Sequence, residues 1–226
     1  MGTGAGKPRS MDRGRVDSHL LTILDADWED ARNRAGDHLK CEQGCSECCH
    51  SLFPITRLDT WRLRRGMQTL TESHPDVADE IRRRAREAVD RFRIGFPGDP
   101  ETGRLVNDDE RLDLFFKEQD GAPCPALDPV SQGCLLYTSR PVACRTYGPP
   151  MRFGSEDSAP CELCFTGTTA EVVEACRYQP DVGGIEEWIL EQMGVEAGRE
   201  LESLIAYALA FEGEDSGKVA GGGDDG

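Results

Sequence analysis

Within nine residues, Cys41-Glu42-Gln43-Gly44-Cys45-Ser46-Glu47-Cys48-Cys49, the chain places four of its ten cysteines, and His50 follows at once. Thiols at this density oxidise to disulfides, exchange electrons as a reactive pair, or ligate a metal as thiolates. The remaining cysteines are Cys124, Cys134 and Cys144, then Cys161, Cys164 and Cys176. Two residues between cysteines let both sulfurs reach one ion from a single turn, so Cys45 with Cys48 and Cys161 with Cys164 are candidate ligand pairs. Two such pairs are a far more specific signal than one. Adjacent Cys48 and Cys49 project in different directions, so one is expected to ligate while the other serves a second centre or stays free. Ten thiols would satisfy two four-cysteine sites with two to spare, and spacing alone does not partition them. Cys176, inside a helical pattern, also reads as a small buried apolar residue.

The opening fifteen residues hold no continuous apolar segment of the secretory kind, so the expected compartment is the reducing cytoplasm. There, dense cysteines bind metal more often than they form bridges. A thiol oxidoreductase built on Cys161 and Cys164 would need a strand-then-helix setting that this stretch lacks. The fragment GTGAGKP from Gly2 is too short for a phosphate loop, ends in Pro8 where a hydroxyl residue is required, and follows no strand. There is no His-Glu-x-x-His run, dinucleotide fingerprint or nucleophile elbow, so any catalysis is expected from the metal centre. His50 is a substitute ligand, whereas His19, His38 and His74 read as helix-face or turn residues. Arg140 and Arg145 flank Cys144 and are read as cations offsetting thiolate charge. An arginine about 4 Å from a thiolate contributes on the order of 4 kcal/mol of attraction before desolvation. On that reading Arg140-Pro141-Val142-Ala143-Cys144-Arg145 is a rigid loop presenting a ligand; the competing reading is two surface arginines beside a turn.

The elements that must hold these residues are mostly helical. Val16, Leu20, Ile23, Leu24, Trp28, Ala31, Ala35 and Leu39 recur at three and four, marking an amphipathic helix that runs into the cysteine stretch. Thr56 with Asp59 predicts a capping box opening the next helix. Ser73-His74-Pro75 opens a third, with the stripe Val77, Ile81, Ala85, Ala88, Val89 and Phe92 and a stop at Gly95 and Pro97. Residues 95–109 are turn-rich. From Gly121 to Pro150, six prolines, three cysteines and Cys134-Leu135-Leu136-Tyr137 predict a short hairpin and tight loops. Later helices are expected from a cap at Thr168 through Cys176, over Ile185 to Met193, and along Leu201, Leu204, Ile205, Ala208 and Leu209. The fold class is therefore mainly α with a small irregular β-hairpin and loop region carrying the cysteines, in one metal-stabilised domain. Residues 16–211 form that domain, between a disordered segment at 1–15 and a disordered acidic, Gly-rich tail at 212–226.

Composition supports a need for metal. Leu, Ile, Val and Phe make up only about a fifth of the 226 residues, and the formal net charge is −16, a combination near the boundary for disorder. The same charge argues against a nucleic-acid partner, and no apolar run is long enough to cross a membrane. The basic run Arg82-Arg83-Arg84-Ala85-Arg86 reads as a solvated helix face. No protein partner is indicated.

CEQGCSECC followed by FPIT and a capped helix, then PCPAL, GCLLY and RPVACRTY, resembles the YkgJ-type cysteine-cluster family, a zinc- or iron-chelating domain related to flagellin lysine N-methylases. The likeness covers Cys41 to Cys164. It implies a leading cluster at Cys41, Cys45, Cys48 and Cys49, with Cys124, Cys134, Cys144 and Cys161 or Cys164 completing the metal set. Three residues between Cys41 and Cys45, where many members have two, match the methylase-like variant and favour an iron–sulfur cluster over zinc. The functional expectation is a metal-binding protein holding an iron–sulfur cluster, with redox or methyl-transfer activity as an oxidoreductase or N-methylase-like enzyme. The alternative is a zinc-chelating interaction module without catalysis.

Overall fold

A computed structural model describes residues 12–153, 156–196 and 201–211. The expected tails at 1–15 and 212–226 fall outside the described residues, apart from residues 12–15. The chain runs α1 (Arg13–Ala35), a 3-10 turn at Gly36–His38, a second at Glu47–His50, β1 (Ile55–Thr56), α2 (Arg57–Ser73) and α3 (Pro75–Phe92). Then come β2 (Gly98–Asp99), β3 (Arg104–Leu105), α4 (Asp109–Glu118), a 3-10 turn at Tyr137–Ser139 and α5 (Val142–Thr146). It finishes with β4 (Met151–Phe153), β5 (Glu156–Ser158), α6 (Ala170–Cys176), α7 (Ile185–Gln192), β6 (Leu201–Ser203) and α8 (Ile205–Ala210). The fold is mainly α, with only two-stranded antiparallel sheets beside the helices.

Local chemistry explains the starts. Asp12 caps α1 by accepting from the Arg15 N–H at 3.2 Å. At α2, Thr56 Oγ1 accepts from the Asp59 N–H at 3.1 Å while Asp59 Oδ2 accepts from the Thr56 N–H at 3.2 Å, the reciprocal box that the spacing predicts. Pro75 occupies the first turn of α3, where its missing N–H costs nothing.

Among the described residues, four apolar clusters hold the elements together, the smallest being Ala31, Met151 and Tyr178. The largest joins α2, α3 and α8 through Leu63, Ile81, Ala85, Phe92 and Tyr207, with Phe115 of α4 edge-on to Phe92 and Phe96. A second packs Leu20 and Leu24 of α1 against Leu58 of α2 and Ile189 and Leu190 of α7. The third, Ala35, Cys161, Cys164, Phe165 and Cys176, gathers the end of α1 with α6.

A buried charged network links the first two helices to the cysteine-bearing middle. Arg62 Nη2 donates to Asp17 Oδ1 at 2.6 Å and Nη1 to Asp59 Oδ1 at 2.5 Å, all three residues being no more than 4 % exposed. Asp59 Oδ1 also accepts from the Val142 N–H at 2.9 Å, so one carboxylate caps α2, pairs Arg62 and anchors the start of α5. Gly66 allows α2 to approach the 3-10 turn at Tyr137–Ser139: a β-carbon there would collide with the Ser139 side chain.

Several expectations are adjusted. The 140–145 segment, read as a rigid loop, is a turn of helix from Val142, entered through Pro141. The expected hairpin near Cys134 is a single bridge, Leu127 to Cys134. Thr169 rather than Thr168 precedes α6, and the last stripe begins as β6, pairing with β1 before α8 forms.

Candidate metal centre

Three connections bring the candidate ligands together. Cys41, Cys45, Cys48 and Cys49 lie between α1 and β1, where Cys45 N–H donates to Glu42 O at 3.0 Å and Cys49 N–H to Ser46 O at 2.8 Å. Cys124 and Cys134 flank a loop turned by Asp128, whose carboxylate accepts from the Val130 N–H at 3.1 Å and the Ser131 hydroxyl at 2.5 Å. Cys144 follows on α5, and Cys161 and Cys164 share a tight turn in which Cys164 N–H donates to Cys161 O at 2.8 Å.

Backbone hydrogen bonds fasten these loops to one another. Cys124 N–H donates to Cys49 O at 2.7 Å, Gly121 N–H to His50 O at 3.0 Å, and Cys161 N–H to Gly148 O at 3.0 Å. Ser46 Oγ reaches Gln132 Oε1 at 2.9 Å. Lys40 N–H donates to Cys164 Sγ at 3.4 Å, placing a backbone dipole on a sulfur.

All ten cysteines are free thiols, and nine of them fall into two neighbouring groups. Cys41 has Cys164, Cys45 and Cys161 as electrostatic neighbours. Cys48 has Cys49 as its neighbour, and Cys144 has Cys124, Cys48 and Cys134 as electrostatic neighbours. Cys45 and Cys48, paired by their spacing, therefore belong to different groups, whereas Cys161 and Cys164 share one. Cys176 packs in the same buried cluster as Cys161 and Cys164, but its S–H points at Arg34 O at 3.6 Å, a packing role. Among the described residues, no three Cys, His, Asp or Glu side chains are already closed into an ion-binding arrangement. The sulfurs are gathered without being drawn onto a common point.

A family model, CxxCxxCC, described as a putative zinc- or iron-chelating domain, matches residues 40–164. The chain belongs to the CxxCxxCC family. No match is found among curated proteins or among solved structures. The CxxCxxCC match spans all nine grouped cysteines and stops before Cys176.

The thiols of this CxxCxxCC domain fit a thiophilic ion by their chemistry. Burial pushes the Cys124 thiol up to about 12, opposed by the Ala126 N–H on its sulfur. Burial likewise raises Cys134, opposed by the Leu136 N–H and Arg140, and Cys161, opposed by the Leu163 N–H. Burial first, then the neighbouring sulfurs, raises Cys41 and Cys144. Groups of thiols that repel one another's anions, yet carry N–H donors aimed at sulfur, suit a positive ion that replaces the protons. Cys48 differs: the Cys49 S–H donates to it and Arg140 lies near, holding it at about 7 against the pull of burial, while Cys49 is correspondingly raised.

The two arginines have separate positions. Arg140 is an electrostatic neighbour of Cys48 and Cys134, with its guanidinium 3.7 Å from the Tyr137 ring centroid. Arg145 turns away to Asp25 Oδ1 at 2.6 Å and Thr138 O at 2.9 Å. Three neighbours of the site were not read from sequence as part of it. Asp59 is marked there only as a cap. Tyr147 shares a hydrogen bond with Cys161 and has Cys48 as a further neighbour, so it stands between the groups. Gly148, with φ +128°, lets the backbone pass where a β-carbon would lie 2.6 Å from Cys41 Sγ. Its place in Tyr147-Gly148-Pro149-Pro150 was the one available signal.

Proposed function

We propose that this CxxCxxCC protein holds an iron–sulfur cluster through its cysteine thiolates, with redox or methyl-transfer activity at that centre. The observation that carries the reading is the gathering of nine free thiols, from three separate stretches of the chain, into two neighbouring groups. Sulfur-only ligation suits iron–sulfur clusters and zinc alike. Crowding of five sulfurs about Cys48 beside the Arg140 cation supports iron–sulfur, because hydrogen bonds and charge near the sulfurs are what set a cluster's potential. The cluster, when bound, supplies one-electron exchange and, at an iron with an open position, a place for substrate. The chain's own residues supply the rest: Arg140 offsets sulfur charge, the N–H groups of Lys40, Ala126, Leu136 and Leu163 orient sulfurs, and Asp59 holds α5 in place. Residues 16–211 act as one domain in the reducing cytoplasm.

The zinc reading is favoured by one feature. The Cys161–Cys164 turn, with a Lys40 N–H on the Cys164 sulfur, has the two-residue spacing that structural zinc sites use. Zinc in such a place contributes about 10 to 16 kcal/mol of folding free energy. Purification without oxygen decides between them. Iron and acid-labile sulfide together, with a sulfide-to-iron charge-transfer band, are expected; a colourless protein with stoichiometric zinc would replace this proposal with the structural one.

A further inference from the structure

We infer that the cleft between α1, α2 and the 3-10 turn Tyr137–Ser139 binds a small monocarboxylate with an apolar body, its carboxylate held at the rim by Arg65. The inference goes beyond the metal-binding reading and does not depend on it.

The cleft has a volume of about 300 Å³, at the lower end of the range that small-molecule sites occupy. Gly66 sets its width. With no side chain there, α2 comes up to the facing segment, where a β-carbon would overlap Ser139 and lie 3.5 Å from Leu136 Cδ2. Leu21 of α1, Trp61 and Leu70 of α2, and Leu135 and Leu136 opposite supply the apolar lining. Leu136 is buried in the large core cluster, which fixes that wall, while the other four are only half-buried. A ligand with an apolar body would take this remaining surface out of water.

Charge decides what the body carries. Three ionisable side chains line the cleft, Asp17, Arg62 and Arg65. Arg62 is engaged inside the fold by Asp17 and Asp59. Arg65 is exposed, its guanidinium carbon lies 4.7 Å from the Trp61 ring centroid, and among the described residues no carboxylate pairs with it. An arginine lying over an aromatic ring keeps its fork of N–H donors for a planar acceptor, and a carboxylate matches that fork with two parallel hydrogen bonds. The guanidinium of Arg13 lies 5.4 Å from the same ring centroid, so this edge of a chain with net charge −16 is locally positive. Thr138 and Ser139 add hydroxyls to the lining that bond to no other described residue.

The deep end has the opposite character. Asp17 and Asp59 set two carboxylates against the one guanidinium of Arg62, all three buried. A second carboxylate entering there would meet uncompensated negative charge at low dielectric. The ligand is thereby oriented, with its head at Arg65 and its body between Trp61 and the leucines, and a dicarboxylate of the same length is disfavoured.

The test is isothermal titration calorimetry of the full, reduced chain with octanoate, octanol, octanedioate and inorganic phosphate. Octanoate is expected to saturate a single site, and the other three to bind about 10-fold more weakly or worse. Arg65→Ala is expected to weaken octanoate about 10-fold, to the level of octanol, with an unaltered circular dichroism spectrum. Arg86→Ala, at an exposed position of α3 outside the cleft, should leave octanoate affinity as it was. Octanol as tight as octanoate removes the carboxylate from the inference, and phosphate as tight as octanoate removes the apolar body. Octanedioate as tight as octanoate refutes the orientation. No saturable octanoate binding to the unaltered chain overturns the site outright, and this arm needs no variant to fold. Equal losses from Arg65→Ala and Arg86→Ala overturn it too, because the attraction would then belong to overall charge and not to the cleft.

Discussion

At Gly148 the backbone passes within touching distance of Cys41, in a left-handed conformation that disfavours any side chain. Gly148→Ala is therefore expected to cost about 1 to 3 kcal/mol in urea unfolding and to lower metal content, because the sulfur must move aside. Unchanged stability and metal content would contradict the close approach. The two arginines should respond differently. Arg140→Ala removes the cation beside Cys48 and Cys134 and is expected to weaken metal affinity roughly 10- to 100-fold with little loss of stability. Arg145→Ala removes the bond to the Thr138 carbonyl and the pair with Asp25, and should cost about 1 to 3 kcal/mol of stability while leaving affinity in the surviving fold nearly unaltered. Competitive chelator titration and urea melts of both variants check this. The sequence places the two arginines on either side of Cys144 without showing which of them lies near the other sulfurs. Asp25 lies 120 residues from Arg145, and only the fold brings it near.

Among the elements, the start of α2 shows what local spacing can and cannot reveal. Its capping box depends on residues three apart and is legible in the sequence. The same Asp59 also pairs with Arg62 and holds α5, and Arg62 in turn reaches Asp17, 45 positions away. Such long-range pairing leaves no periodic trace. α4 is also obscure in the sequence, since Phe115 is its one buried residue while Leu112 and Phe116 are half-buried and Leu114 is exposed. Arg62→Met is expected to cost about 3 to 5 kcal/mol, because Asp17 and Asp59 would be left buried without a counter-charge. Glu186 of α7 adds a pH dependence. Burial, then repulsion from Asp59, pushes its carboxyl up from 4.5 to about 8. A raised folded-state value means that folding favours the protonated form, so its contribution is full below about 4.5 and is lost as pH rises towards about 8. Urea unfolding of the native chain should weaken by about 2 to 4 kcal/mol across that window relative to Glu186→Gln. Parallel pH profiles of the two proteins would count against it.

For the molecule as a whole, the mainly helical fold, its cysteine-bearing loops and its need for more than apolar burial follow from residue type and spacing. The partition of the sulfurs does not, because it depends on which loops meet. The α2–α3–α8 cluster is assembled from carbon, whereas the cysteine loops rest on turns and a few hydrogen bonds. Exhaustive chelation is therefore expected to lower the melting temperature and to release amide-exchange protection first at residues 39–50 and 121–165, with α3 and α8 the last to lose it. Uniform protection before and after chelation would contradict a role for metal in stability. The hydrogen bonds from Cys124 to Cys49 and from Gly121 to His50 have a consequence for how this chain tolerates redesign. They act as a clasp at the neck of everything between them, so the chain leaves and re-enters the sulfur-rich region at almost one point. Lengthening or cutting the connection between α3 and α4 at its exposed Asn107, clear of the buried Phe96, Pro97 and Gly103, should leave the far side of that neck undisturbed, which makes it a natural place to graft a reporter or open new termini.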